Sequence, residues 1–179
     1  MTTRGRFINT YTGNRFYPMN PSVDEVHIID IAHALSNIAR FTGHTNEFYS
    51  VAQHSVLVSE LCEPRHALWG LLHDGSEAYI SDVASPVKRS PEMAFYKVAE
   101  KKVQDVICQR FDLPKDMPPD VHLADATAFI TEARDLMSVP MSEWGTGWPD
   151  PLEDFIVPLP PKAAKTLFLN RYFELMSLE

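Results

Sequence analysis

The sequence predicts an all-α bundle of about six helices with a small N-terminal β-hairpin flap, on three observations. Apolar residues recur at three- and four-residue spacing in several separate runs after residue 21, the signature of amphipathic helices. One of those runs, Ala67-Leu68-Trp69-Gly70-Leu71-Leu72, is apolar on nearly every side, which places it at a bundle centre. Strands and helices do not alternate, and neither a Rossmann nor a P-loop glycine motif occurs, so a parallel α/β sheet is not expected.

Taken in order, residues 1–21 read as the flap. Phe7–Tyr11 and Arg15–Tyr17 are short strand-like runs around Thr12-Gly13-Asn14, a turn signal, and Pro18 and Pro21 close the segment. Ile28, Ile31, Ala32, Leu35, Ile38 and Ala39 mark a first helix ending near Phe41-Thr42-Gly43. Phe48, Val51, Ala52, Ser55 and Val58 line a second, over roughly 46–62, which Pro64 stops. The central apolar run makes a third, over about 65–80. Ser90-Pro91-Glu92 has the residue types of a helix start, with Ser as N-cap, Pro at N1 and an acid in the first turn. That fourth helix runs to about Phe111, and a fifth, capped by Asp120, runs to about Met137. Residues 138–161, with two Gly, several Pro and two Trp, read as an irregular packed loop, and Pro160-Pro161 opens a last helix to about Met176. No internal repeat is visible, and the 179 residues read as one domain.

Composition narrows the function. With 45% hydrophobic residues the chain can build its own core, and a net charge of −8 without any basic run argues against binding a nucleic acid polymer. A small anion such as a nucleotide remains compatible, because two or three cations in a cleft act locally. No apolar run approaches the ~20 residues of a membrane span, and the N-terminal stretch is broken by Arg4, Arg6 and Arg15. Cys62 and Cys108 lie far apart on apolar helix stretches, the pattern of free buried thiols in a reducing compartment. The expected location is cytoplasmic.

The informative chemistry begins at Leu71-Leu72-His73-Asp74. Adjacent ionisable residues directly after an apolar run need compensation, because burying a charge costs several kcal/mol. A divalent cation is one compensation; a hydrogen-bonded His beside a solvated Asp is another. Neighbouring side chains on a helix diverge by ~100°, so a shared ion is easier to reach at a helix end, and Gly75 follows at once. His54 lies on an otherwise apolar face of the second helix, and Asp125 is embedded in Leu123-Ala124-Asp125-Ala126. Each alone is a core histidine or a surface carboxylate. Three such oddities on three central helices form the pattern from which bundles build metal sites.

His54, His73-Asp74 and Asp125, in that order on successive helices, resemble the H…HD…D site of the HD-domain metal-dependent phosphohydrolases. The run from His73-Asp74-Gly75-Ser76-Glu77 through Asp82 to Ser85-Pro86-Val87-Lys88 is similar to the HDxSE…D…PVK run of the YfbR-like bacterial 5′-nucleotidases and the related bacteriophage deoxynucleotide phosphohydrolases. Asp30–Ser36, Arg40–Thr45 and Tyr49–Ser55 resemble the longer subgroup with an N-terminal flap. The likeness covers roughly residues 10–137.

This resemblance implies an HD-domain fold and one divalent ion (Mn, Co, Ni, Fe or Zn) held by His54, His73, Asp74 and Asp125. It places Glu77 beside the attacking water and Asp82 near the scissile bond, as the catalytic acids whose division of labour stays open. Arg40 corresponds to a phosphate-gripping arginine, Lys88 is a second cation for phosphate, and Phe41 stands where these nucleotidases carry Trp. His44, in the loop after Gly43, is a candidate substrate contact. The implied activity is a 5′-nucleotidase on deoxynucleoside monophosphates working as a homo-oligomer, a dimer or higher, with the apolar last helix as a contact. Two alternatives remain: a deoxynucleoside triphosphate triphosphohydrolase, including a phage dATP-hydrolysing enzyme, and a non-catalytic module that binds nucleotide or metal.

Overall fold

The computed structural model describes residues 4–177. Among these, the hairpin pairs β1 (Ile8–Asn9) with β2 (Arg15–Phe16), antiparallel, with Ile8 opposite Phe16 and Asn9 opposite Arg15. Eight α-helical segments follow rather than about six: α1 (Ile28–Asn37), α2 (Val51–Leu61), α3 (Ala67–Leu72), α4 (Glu77–Ile80), α5 (Ser85–Lys88), α6 (Ala94–Arg110), α7 (Pro119–Leu136) and α8 (Pro161–Met176). The larger count arises because the expected third helix is broken and because α5, a single turn, had no periodicity to announce it.

The core forms around α2, which packs against α1, α3, α7 and α8. Ile31, Leu35, Val51, Leu71, Leu72, Ile107 and Phe168 are fully buried in one apolar cluster, each contributing roughly 1.5–3 kcal/mol by leaving water. A second cluster joins Val58, Trp69, Val121 and Ala128 with both cysteines, which are buried and free. Gly70 is where α3 crosses α2 most closely: a Cβ there would lie 2.7 Å from Cys62 Sγ and 3.1 Å from Ser59 Cα. No helix is long and apolar enough to cross a membrane among the described residues.

Several boundaries differ from expectation, and each difference has a local cause. The first helix stops at Asn37, not near residue 42, because residues 38–39 turn extended and Ala39 bridges Ser50. Arg40–Gly43 then form a tight turn in which Phe41 (φ 51°) and Thr42 (φ 55°) both take left-handed backbone, a sparsely populated conformation for residues with a Cβ. The second helix begins at Val51, with the Ser50 hydroxyl accepting the Gln53 N–H at 3.2 Å; Phe48 lies outside it and is exposed. The third helix is not continuous over 65–80. It ends at Leu72, and residues 73–76 form a turn closed by Gly75 N–H to Leu72 O at 2.9 Å. A Cβ on Gly75 would sit 2.9 Å from that same carbonyl, so the turn requires glycine.

Pro91–Met93 precede α6 as a 3₁₀ turn, and Ser90 makes no side-chain cap. Asp120 does not cap α7, whose N-cap is Pro118. Its carboxylate instead accepts from Glu63 N–H at 3.1 Å and from the His66 ring at 2.7 Å. Residues 138–160 are irregular apart from a short turn at Met141–Trp144. The flap is pinned to the body: Asp30 accepts from Thr12 N–H at 2.7 Å and Thr12 Oγ1 at 2.8 Å, and buried Phe16 stacks on Tyr79 at 3.8 Å.

Candidate metal centre

Four side chains from three elements converge. His54 comes from the middle of α2 and is fully buried, His73 and Asp74 come from the turn that ends α3, and Asp125 comes from α7. His54 Nε2 lies 3.2 Å from His73 Nε2, 3.2 Å from Asp125 Oδ1 and 3.7 Å from Asp74 Oδ2. His73 Nε2 lies 3.2 Å from Asp74 Oδ2 and 3.9 Å from Asp125 Oδ1. Because the helix breaks at His73, the adjacent His and Asp lean to one point.

Both imidazoles are committed on their outer nitrogens. His54 Nδ1–H donates to Glu132 Oε1 at 2.6 Å, and His73 Nδ1–H donates to Gly70 O at 2.7 Å. The inner Nε2 atoms are therefore lone-pair acceptors facing each other and two carboxylate oxygens. Four acceptors around one point repel unless a cation or a proton sits among them. Two ligands bound at about 2.1 Å to one ion stand about 3.0 Å apart at a right angle and about 4.2 Å apart when opposite. The observed spacings of 3.2–3.9 Å fall within that range, and His54, His73 and Asp74 each bring a ligand atom within 4.8 Å of the other two, a mutual grouping that Asp125 does not complete. The two imidazole nitrogens, each oriented by its outer hydrogen bond, and the Asp74 carboxylate fit a first-row divalent ion, with Asp125 at its edge 3.2 Å from His54 Nε2.

The charges respond to this crowding. Burial and Arg40 push the His54 pKa down, but Glu132 and Asp125 outweigh them and lift it to about 9. Burial alone would raise Asp74 and Asp125; the neighbouring histidines instead hold Asp74 well below the usual carboxylate range and Asp125 at about 2. Glu77 goes the other way. Burial, then the charges of Asp74 and Asp82, push its carboxyl well above the ordinary value, and its Oε2 has no hydrogen-bond partner. Lys88 Nζ lies 3.9 Å from Glu77 Oε1 and is held by Glu100 at 2.7 Å. Asp82 follows Ser81, whose backbone is strained (φ 70°), and is half-buried on the Glu77 side.

Arg40 reaches the cluster, with Nη1 3.8 Å from Asp74 Oδ2. Its Nη2 and Nε donate to Glu132 Oε2 at 2.8 and 3.3 Å. Phe41 packs edge-on with Trp144 and tilted against Phe129, which lies one turn after Asp125 on α7. His44 is exposed, and among the described residues no hydrogen bond joins its side chain to the cluster. A cavity of about 350 Å³ opens beside His73 and Asp74, with Lys97, Lys101 and Lys115 interleaved with Glu100, Asp105 and Asp116 along its walls.

Glu132 escaped the sequence reading. It is fully buried between His54 and Arg40, and the signal for it was present: an acid inside Ala128-Phe129-Ile130-Thr131-Glu132-Ala133, seven residues and so two helical turns after Asp125. The charges of Arg40 and His54 keep its carboxyl below the usual value despite burial.

Fold and site together define a helical protein with a candidate metal centre at His54, His73 and Asp74. It belongs to the family of the uncharacterized protein YfdR of Escherichia coli K12, which is 40% identical over 174 residues, 96% of this chain and 97% of that protein. An uncharacterized protein of Rhodobacter capsulatus is 33% identical over 132 residues, covering 69% of this chain and 67% of its own. No family model matches the chain.

Proposed function

We propose that this protein is an HD-type, metal-dependent phosphohydrolase of 2′-deoxynucleotides, in its simplest form a 5′-nucleotidase on deoxynucleoside monophosphates. The observation that supports the reading is the convergence of His54, His73 and Asp74, with both histidines' outer hydrogen bonds turning their Nε2 atoms inward and Asp125 3.2 Å from His54 Nε2. His54, His73, Asp74 and Asp125 would hold the ion. A divalent ion there supplies a lower pKa for a coordinated water and a pull on a phosphate oxygen.

The chain's own residues account for the rest of the chemistry. Glu77, buried with a free carboxylate oxygen and with burial raising its carboxyl above the ordinary value, is the group that would orient the attacking water or take its proton. Asp82 is the second acid, on the same side. Arg40, half-saturated by Glu132, keeps Nη1 for a phosphate oxygen, and Lys88 adds a second cation next to Glu77. Phe41, Phe129 and Trp144 offer aromatic edges beside α7 for a base or sugar.

The triphosphohydrolase alternative stands as a second reading, although the cavity beside His73 and Asp74 sets Lys97, Lys101 and Lys115 among Glu100, Asp105 and Asp116, with Lys101 paired to Asp105 at 3.0 Å. The protein incubated with Mn, Co or Zn against deoxynucleoside mono- and triphosphates separates the readings by product. Inorganic phosphate from monophosphates supports the nucleotidase, and tripolyphosphate from triphosphates supports the alternative. No release with any metal would leave a non-catalytic binding module. We place the enzyme in the cytoplasm as a homo-oligomer, a setting that suits its free thiols and the exposed Leu167 and Phe173 of α8.

A further inference from the structure

We propose that Glu132 is a shared positioning residue, one buried carboxylate that sets both the cation affinity of the cluster and the phosphate grip of Arg40. The proposal rests on the metal-site reading above. Each oxygen of Glu132 has a different task. Oε1 accepts from His54 Nδ1 at 2.6 Å, which fixes the tautomer and leaves Nε2 bare for a cation. Oε2 accepts from Arg40 Nη2 at 2.8 Å and Nε at 3.3 Å, which leaves Nη1 turned toward Asp74. Glu132, His54 and the Arg40 guanidinium have at most 14% side-chain exposure, so water cannot replace either bond. Both partners are donors, and only a carboxylate can accept from both at once.

A glutamine in this position has one accepting oxygen and an NH₂ that only donates. It can serve Arg40 or His54, not both. If the NH₂ faces His54, the ring must take its proton on Nε2, and that proton points into the cluster. If it faces Arg40, two donors oppose each other and the guanidinium loses its anchor. An aspartate keeps both acceptors and the charge but withdraws them by one methylene.

The test uses Glu132→Gln and Glu132→Asp in the full chain, with Mn²⁺ or Zn²⁺ alone as the first probe and inorganic phosphate at saturating metal as the second, both by calorimetry. Glu132→Gln should lose about 10- to 100-fold in metal affinity and about tenfold in phosphate affinity. Glu132→Asp should fall between it and the parent on both. In the Zn²⁺-loaded parent, nitrogen-15 spectra should show a protonated His54 Nδ1 in a strong hydrogen bond, and that signal should be lost or shifted in Glu132→Gln, a change that general loosening of the fold would not produce. Parent-like metal and phosphate binding in the variants, or loss of only one of the two, would overturn the proposal. If Glu132→Gln does not fold, the Glu132→Asp pair of affinities decides by the same rule. A parent protein that binds no metal would instead sink the metal-site reading.

Discussion

Stripping divalent ions and raising the pH should expose a proton that His54 holds in the cation's place. Burial and the Arg40 charge work against that proton, yet Glu132 and Asp125 raise the His54 pKa from 6.5 to about 9. A difference of that size corresponds to about 3 kcal/mol of folding stability. Because the folded-state value is the higher one, this contribution is complete below the unfolded value of 6.5 and is lost as pH rises through about 9. Urea unfolding of the chelated protein should therefore show stability falling by about 3 kcal/mol between roughly pH 6.5 and pH 9.5. With saturating Mn²⁺ the ion takes the proton's place and this slope should vanish. Calorimetry in two buffers of different ionisation enthalpy should find about one proton released per ion bound near pH 7. Chelated protein whose stability is flat over that range, or ion uptake without proton release, would refute the reasoning.

Other perturbations test the neighbouring residues. Asp74→Ala should abolish both metal binding, read by calorimetry, and phosphohydrolase activity, since it removes a cluster oxygen 3.2 Å from His73 Nε2. Glu77→Ala should keep metal affinity within about threefold and lose about 10²–10⁴ in turnover; full activity in that variant would remove its proton-handling role. Gly70→Ala forces a Cβ to 2.7 Å from Cys62 Sγ and 3.1 Å from Ser59 backbone. It should destabilise by about 1–3 kcal/mol, measured by denaturant midpoint, with partial recovery when combined with Cys62→Ala.

The helical class and most of the helices were legible because their apolar spacing is strong and because Pro and Gly punctuate the chain between them. What periodicity could not show was interruption. Leu68 through Ile80 keeps enough helical spacing to read as one rod, yet the bonds that break it at residues 73–76 are local turn bonds that leave no apolar signature. Asp120 misled for a related reason. Its residue type suits a cap, but the Glu63 N–H and His66 lie closer to it in the folded chain. The four clustered donors could be picked out as polar residues in apolar surroundings. Glu132 met the same description and passed unnoticed, because its meaning depends on Arg40, 92 positions away in the chain.

The irregular segment between α7 and α8 has a mechanical consequence. Gln53, next to His54, donates to Val157 O and accepts from Leu159 N–H, each at 2.8 Å. On the other side, Thr131 Oγ1 accepts Leu152 N–H at 3.0 Å, and Asp135 accepts Ile156 N–H at 2.9 Å. A stretch without regular structure thus laces the rod bearing His54 to the rod bearing Asp125 and Glu132. Exposed Phe155 and Val157 make that lace the natural point of attack for a protease. A single cut there would remove one tie between two rods that also pack directly on each other, so the grip on a cation would slacken while the apolar core held.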